Sequence, residues 1–590
     1  MQNDSTSKRL EKFAWIIPVI LAFVAHLSVL DNGLAYDDPI LFQDLLPRFQ
    51  SWTGVWNYLD FYPQRPVYYR PGFFLALMFI RTFSNYEPWG YHLTLLLIHT
   101  INTVLVYVLS CHFLKGKKQT KWGAMAAAAL FAVHPAHIEV VAWISALLET
   151  LLTLFFFLAL LSHIRFREYP HKKIWLLLAT ASFFCALTFK ETAISFFIIA
   201  PLYDYCFVRS EKRTICNLTG AYACYFFIFL FYALLRLANI PLSPTSHIAV
   251  SPFEGTMRLV IAFGYYFQKS IWPNVINPYI VNLPMGAAFF AMSLVYIILI
   301  TAVCWQTLRS ARAIFFHISL YIICLGPGIL VSWGSSSGVP LAERYLYLPL
   351  YGICFIFGWC LTQNDSSTKA SEHKQKKMVV KIVFATGIIL TSAWLSYQRA
   401  EIWQNDWSFW KQAVKMNPRD VAPWSNLGRV ALQYGDQPRA MAYFDKALSL
   451  KTNQIPNFVL AELYANKAIC LKHLNREDEG IAMLEESIRL IAHPISYFNL
   501  ALLYSEKAKN IENKITAKEY FEKAIKNFES SIELDQNNTQ SHYHLAATYE
   551  TLGNLPQAKK HYEICTKLKP ENAWTTAAKK ALLNSTLLIH

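Results

Sequence analysis

Long apolar runs separated by short polar loops fill the first two thirds of the chain, and beyond residue 399 the pattern changes to polar, helix-prone and internally repetitive. The runs cover 13–30, 89–114, 122–133, 140–161, 174–189, 192–208, 218–237, 287–308, 313–333, 345–361 and 378–395. About 20 apolar residues cross the hydrocarbon core as a helix, so these runs predict about eleven crossings. Lysines and arginines set the orientation. Lys8, Arg9 and Lys12 precede the first run, and the loops 115–121, 165–173, 209–213, 309–312 and 374–377 are basic, whereas the intervening loops are nearly uncharged. The positive-inside rule puts the basic loops and the N-terminus in the cytoplasm and residue 399 onward outside. Two shorter runs, 73–83 and 259–272, read as interfacial or re-entrant helices on the outer face, because counting either as a span would move a basic loop outside. The first run has no A-x-A-like site after it and is expected to remain as a span.

The tail carries a period of about 34 residues, the spacing of the tetratricopeptide helix pair. Trp424, Leu427, Gly428, Ala440, Phe444 and Ala447 occupy its large and small positions, as do Leu545, Ala546, Tyr549, Gly553, Ala558, Tyr562 and Pro570. Two degenerate copies lie between them, around Tyr464, Ala468, Gly480 and Leu484 and around Tyr497, Leu500, Ala501, Tyr504, Ala524 and Phe528, with an insertion in the latter near 510–517. The expectation is an all-α chain: a polytopic membrane domain over 1–398, with an outer loop at 31–89, then an extracytoplasmic solenoid over 399–590 of about four repeats and a capping helix at 573–588.

Composition agrees: 54% of the 590 residues are hydrophobic and 15% aromatic, above the soluble average. The net charge of +15 lies largely in the short basic loops, where membrane orientation accounts for it and nucleic acid need not be invoked. Eleven cysteines with no C-x-x-C pair indicate neither a disulfide framework nor a zinc site.

Ionisable clusters fall at span ends on the outer face. Asp37 and Asp38 precede Pro39; they suit a helix cap, and equally a general base with a neighbour that orients it. No cofactor is required, although the pair also suits Mg or Mn with phosphate oxygens. Arg70 is either a headgroup-seeking arginine or a phosphate ligand. Lys190-Glu191 and Glu343-Arg344 are each a turn or local ion pair, or part of a site, because charge beside apolar runs is costly unless satisfied or used. The stretch Gly334 to Gly338 before the second pair reads as mobile. His134, His137 and Glu139 have a spacing that metal sites sometimes use, but a hydrogen-bonded turn fits better. Drawn from five outer segments, these residues can converge on a lipid phosphate without crossing the bilayer. Arg70, Lys190 and Arg344 would neutralise it and His134, His137, Glu139, Glu191 and Glu343 would support them.

Taken in order, Tyr36-Asp37-Asp38, Tyr69-Arg70-Pro71, Pro88-Trp89-Gly90-Tyr91-His92, His134 through Trp143, Lys190-Glu191-Thr192 and Leu341 through Pro349 closely resemble the transmembrane and tetratricopeptide-repeat O-mannosyltransferases and their bacterial relatives. The resemblance extends over almost the whole chain. It implies a glycosyltransferase of the C superfamily that takes mannose or another hexose from a polyprenyl-phosphate carrier to serine or threonine of an acceptor protein. It also implies direct, inverting displacement, with Asp37 or Asp38 as base. Where many relatives have Gly-Arg and an acid, this chain has Ala146-Leu147-Leu148-Glu149 and lacks the basic residue. The implied setting is a bacterial inner membrane with the repeats in the periplasm, or an endoplasmic reticulum membrane with the repeats in the lumen; the repeats would recruit the acceptor. Two other classes compete: a lipid-linked sugar flippase, which predicts charges at the bilayer midplane, and a membrane-anchored scaffold whose repeats do the work.

Overall fold

A computed structural model describes residues 13–46, 69–117, 119–208, 215–239, 250–273, 277–280, 282–333, 339–363, 371–452, 455–568 and 573–583. They are helical throughout apart from turns and one isolated bridge, Ile280 to Leu341. The chain divides into two compact units, with the changeover between Phe409 and Trp410. The Gly334 to Gly338 stretch lies outside the described residues, as does Pro570.

Among the described residues of the first unit, six helices are long and apolar enough to cross a membrane: Pro88–Phe113, Ile144–Glu168, Gly220–Asn239, Ala287–Ser310, Arg312–Leu330 and Lys376–Trp403. A seventh crossing is possible if the pair Thr120–Val133 and Pro135–Ala142, bent by 47°, is one broken span. The apolar helices Ile16–Asp31, Pro71–Ser84, Ile174–Phe189 and Leu350–Thr362 are shorter. The expected eleven and the six or seven among the described residues differ at Ile16–Asp31, Ile174–Phe189, Phe196–Phe207 and Leu350–Thr362, and the chain breaks into 3-10 turns at Leu27, Pro135, Glu191 and Glu343. Prolines contribute at the breaks: Pro135 cannot donate to the turn before it and Pro349 restricts the residue preceding it. The runs at 73–83 and 259–272 lie in Pro71–Ser84 and Pro252–Ile271, and neither helix is among the span candidates.

Small residues let two of these helices meet backbone to backbone. A Cβ on Gly358 would approach the Gly123 carbonyl oxygen to 2.2 Å and the Ala127 Cβ to 2.9 Å. Thr120–Val133 and Leu350–Thr362 are therefore locked face to face at these glycines.

The second unit is the expected solenoid. Its paired helices are Val421–Gln433 with Gln437–Ser449, Asn457–His473 with Glu477–Leu490, Pro494–Lys509 with Lys514–Leu534, and Thr539–Thr551 with Leu555–Lys567, followed by Ala573–Leu583. The turn inside three of the pairs needs a left-handed residue, supplied by Gly435, Asn475 and Gly553 with φ of 76°, 56° and 77°. Asp436 and Asn554 then cap the second helix through the amides of Arg439 and Gln557. The insertion at 510–517 lengthens the third pair, with Asn513 capping a 21-residue helix. A serine on the second helix ties its own pair together and reaches the next: Ser487 Oγ donates to Ala461 O at 2.8 Å and lies 3.0 Å from Ser496 Oγ, and Ser531 Oγ donates to Pro494 O at 2.9 Å and lies 2.9 Å from Ser541 Oγ.

Gly358→Val should lower the thermal stability of the detergent-solubilised protein by about 1–3 kcal/mol, the range for overpacking. Gly326→Val, where a Cβ meets nothing within 4 Å, should change it little. Equal shifts in tryptophan-fluorescence melts would refute the glycine contact as the cause.

Candidate active site

The two adjacent aspartates are turned to different environments. Asp38 is fully buried and its carboxylate accepts three hydrogen bonds, from Ile144 N at 3.2 Å, Ser145 N at 3.0 Å and Ser145 Oγ at 2.8 Å. It thus caps the start of the turn Ile144–Ala146, which leads into Leu147–Glu168. Burial pushes its carboxyl up to about 7, against the pull of the Ser145 and Ile144 donors and with a further push from Asp37. Asp37 is exposed, and its side chain makes no capping bond to the short helix that it precedes. The local-cap reading therefore does not hold for Asp37, and for Asp38 the capped turn is a distant one.

What aims Asp37 is the residue before it. Tyr36 has φ of 62°, a strained value for a bulky side chain. Its amide donates to Asp406 Oδ1 at 2.7 Å, and its ring stacks on Phe409 at 5.0 Å and leans on Trp143 at 5.4 Å. Nearby, Gly33 N donates to Gln404 O at 2.8 Å, so the acidic loop is fastened to the segment that follows the last span.

The charged neighbours in sequence are not partners. Glu343 pairs with Arg399 at 2.8 Å and Lys269 at 2.9 Å, whereas Arg344 pairs with Glu139, through Nη1 at 2.7 Å and its own amide at 3.1 Å. Likewise Lys190 pairs with Glu149, and Glu191 with Arg70 at 3.1 Å and Arg236 at 2.9 Å. Burial alone would raise the Glu343 carboxyl, but Arg399 and Lys269 outweigh it and hold it below the usual range. Glu191 is likewise lowered against burial, by Arg70 and Arg236.

Lys190 and Arg344 converge. The Lys190 ammonium is 4.5 Å from the centre of the Tyr345 ring and the Arg344 guanidinium 5.2 Å from it, with Trp143 at 5.1 Å from the same guanidinium. Both line a small cavity with Glu149, Thr192 and Tyr347. Arg70 is not among its lining residues and is held in the separate group around Glu191. The histidines are occupied by the backbone: His134 by Ser270 O and the Ala136 amide, His137 by Phe131 O at 2.8 Å. The hydrogen-bonded turn is what forms there. Among the described residues, no group of three or more His, Cys, Asp or Glu side chains could hold a metal ion.

Sequence reasoning alone did not single out Glu149, Tyr345, Lys269, Arg399, Tyr36 or Asp406 for these roles. Glu149 and Arg399 carried the usual signal, an ionisable residue at the edge of an apolar run. Asp406 carried none, since its partner lies 370 residues away.

A family model for the tetratricopeptide repeat matches residues 539–572. Human Protein O-mannosyl-transferase TMTC3 is 24% identical over 88% of this chain and 63% of its own length, and mouse TMTC3 is 23% identical over 88% and 62%. Protein O-mannosyl-transferase Tmtc2 of Drosophila melanogaster is 28% identical over 44% of this chain and 29% of its own. The chain thus spans less than two thirds of the length of these curated relatives. Among solved structures, MamA from Desulfovibrio magneticus covers 34% of this chain and 97% of its own at 20% identity, with a TM-score of 0.23. The ordered motifs and these relatives agree: the chain is a relative of the transmembrane and tetratricopeptide-repeat O-mannosyltransferases.

Proposed function

We propose that the chain is an integral-membrane hexosyltransferase that moves mannose or another hexose from a polyprenyl-phosphate carrier to serine or threonine of a protein. The observation that carries this reading is an exposed carboxylate, Asp37, beside a cation pair, buried Lys190 and partly buried Arg344, gathered on one tyrosine ring. That arrangement suits a displacement in which a proton leaves one end and a phosphate departs at the other.

Asp37 acts as the base. The acceptor hydroxyl attacks the anomeric carbon, its proton passes to the Asp37 carboxylate, and the bond from that carbon to the phosphate oxygen breaks. The electron pair leaves with the lipid phosphate, whose charge Lys190 and Arg344 stabilise as it grows. No sugar-enzyme bond is needed, so the anomeric centre inverts. Asp38 holds the loop. The steps require no metal. The chemistry belongs to the outer leaflet, opposite the basic loops, and the repeats recruit the acceptor protein, in keeping with their relatives' names and with the usual use of such repeats.

In proteoliposomes given a radiolabelled polyprenyl-phosphate hexose and an acceptor protein, Asp37→Asn should reduce transfer by about 10²- to 10⁴-fold, the range for losing a general base, with its melting temperature unchanged. Full activity in Asp37→Asn would remove it as the base. Movement of label across the vesicle without transfer would favour a flippase.

Asp38→Asn should act on stability and its pH dependence. The folded carboxyl titrates near 7 and the unfolded one near 4, so the folded state holds the proton more tightly. The group's contribution is fully present below about pH 4 and is lost as pH rises to about 7. The melting-temperature advantage of the wild type over Asp38→Asn should therefore shrink across that window. A difference that grows with pH would contradict the assignment.

Asp406→Ala should lower kcat by about tenfold, the worth of one hydrogen bond to a charged group, with KM for the donor lipid unchanged. Asp406→Asn keeps an acceptor oxygen for the Tyr36 amide and should restore most of it. Equal losses in both variants would mean that the carboxylate does not act through Tyr36.

A further inference from the structure

The helix Ser371–Ala400 is fastened closely at its C-terminal end and bounds a cavity toward its N-terminal end. At its C-terminal end Ser396 Oγ donates to Val133 O at 2.8 Å, and Arg399 Nη1 to Pro135 O at 3.0 Å. Thr120–Val133 and Leu350–Thr362 remain locked together by Gly123 and Gly358. Toward the N-terminal end of Ser371–Ala400 a groove opens between it and that locked pair.

The groove has apolar walls and a cationic mouth. Gly123, Ala126, Ile382 and Ile389 line its length, and Lys377 and Lys381 stand at its open end. Among the described residues, no aspartate or glutamate lines it. Lys381 gives one N–H to Gln363 O at 2.7 Å, and an ammonium carries three. Trp122 lies at the same end, where tryptophan favours the boundary between headgroups and hydrocarbon.

Depth and charge both fit a lipid. From Lys377 to Ile389 the helix rises about 18 Å, at 1.5 Å per residue. One leaflet of the hydrocarbon core is about 15 Å thick. An occupant that enters from the basic face, places an anion at the lysines and reaches the bilayer midplane has the dimensions of one phospholipid. We propose that this groove is a binding site for an anionic glycerophospholipid of the leaflet on the basic side, with its phosphate on Lys377 and Lys381 and one acyl chain along the wedge. The site is separate from the donor cavity: Thr120 begins on the basic side, whereas the other end of the same helix runs into the His134 turn. The bound chain fills the space between that helix and the locked pair, and so supports the helix whose far end carries Arg399.

The test needs no enzyme activity. The full chain is purified in mild detergent, and the lipid that it retains is measured by native mass spectrometry after exposure to equimolar phosphatidylglycerol and phosphatidylcholine. The wild type should retain phosphatidylglycerol preferentially. At about 1 kcal/mol for each lysine near a lipid phosphate, Lys377→Gln with Lys381→Gln should cut that retention by roughly tenfold or more, and Thr386→Trp, which fills the groove, should also cut it. Lys172→Gln with Lys173→Gln, on another basic loop, should leave it unchanged. Equal retention of both lipids by the wild type, undiminished retention in the double variant, or a retained polyprenyl phosphate in place of the phospholipid would each overturn the proposal. Delipidated wild type, which needs no variant to fold, should regain thermal stability with phosphatidylglycerol and less with phosphatidylcholine; equal recovery would overturn it too.

Discussion

A helix that breaks where it is buried leaves backbone carbonyls with neither an intrahelical donor nor water to meet them, and each must find a donor inside the protein. The end of Thr120–Val133 shows how strictly this is observed. Phe131 O is taken by His137 at 2.8 Å, Ala132 O by His99 at 2.9 Å, Val133 O by Ser396 at 2.8 Å and Pro135 O by Arg399 at 3.0 Å. Four side chains from three parts of the sequence seal one bend. The bend is what carries Glu139 to Arg344, and the turn that follows Trp143 is what Asp38 caps. Most of the ionisable residues that look like chemistry in the sequence are therefore holding broken helices together, and the groups left for reaction are few.

The same economy governs the charges. A buried ion is tolerable when paired and hydrogen-bonded, and here pairing skips the sequence neighbour in both charged dipeptides. Consecutive residues in a 3-10 turn point to different sides, so Glu343 and Arg344 reach separate partners on separate helices. Each dipeptide thus stitches several elements together with one turn. A cation held by a carboxylate and resting on an aromatic face, as Lys190 and Arg344 are on Tyr345, is fixed in place before any anion arrives. That preorganisation is what a stabiliser of a departing phosphate needs.

Much of this was legible in the chain. The apolar runs located the six helices long and apolar enough to cross, and the period of about 34 residues located the solenoid, because both are dictated by local repetition. The span count was less legible. Run length cannot show that a helix stops at Pro135 or Glu191, where the stop depends on donors supplied from far away. The motif residues were found, but their pairing was not: Lys190 with Glu149, and Arg344 with Glu139, are set by how helices pack. Least legible was Asp406, a polar residue at the start of an amphipathic helix, ordinary in its local sequence and tied to Tyr36 only in three dimensions.

Asp37 and Asp38 illustrate why adjacency is a poor guide to shared function. Adjacent carboxylates in one pocket would repel, and one of them would stay protonated. Here the backbone separates them: the left-handed Tyr36 and the following short helix send Asp38 inward to three donors and leave Asp37 outward. The strain at Tyr36 is offset by a hydrogen bond and three aromatic neighbours, Phe409, Trp143 and Tyr279. A residue in that conformation persists because its surroundings over-determine it. The two neighbours are thus set in different surroundings, Asp38 inward where its carboxylate fixes the turn after Trp143 and Asp37 at the surface.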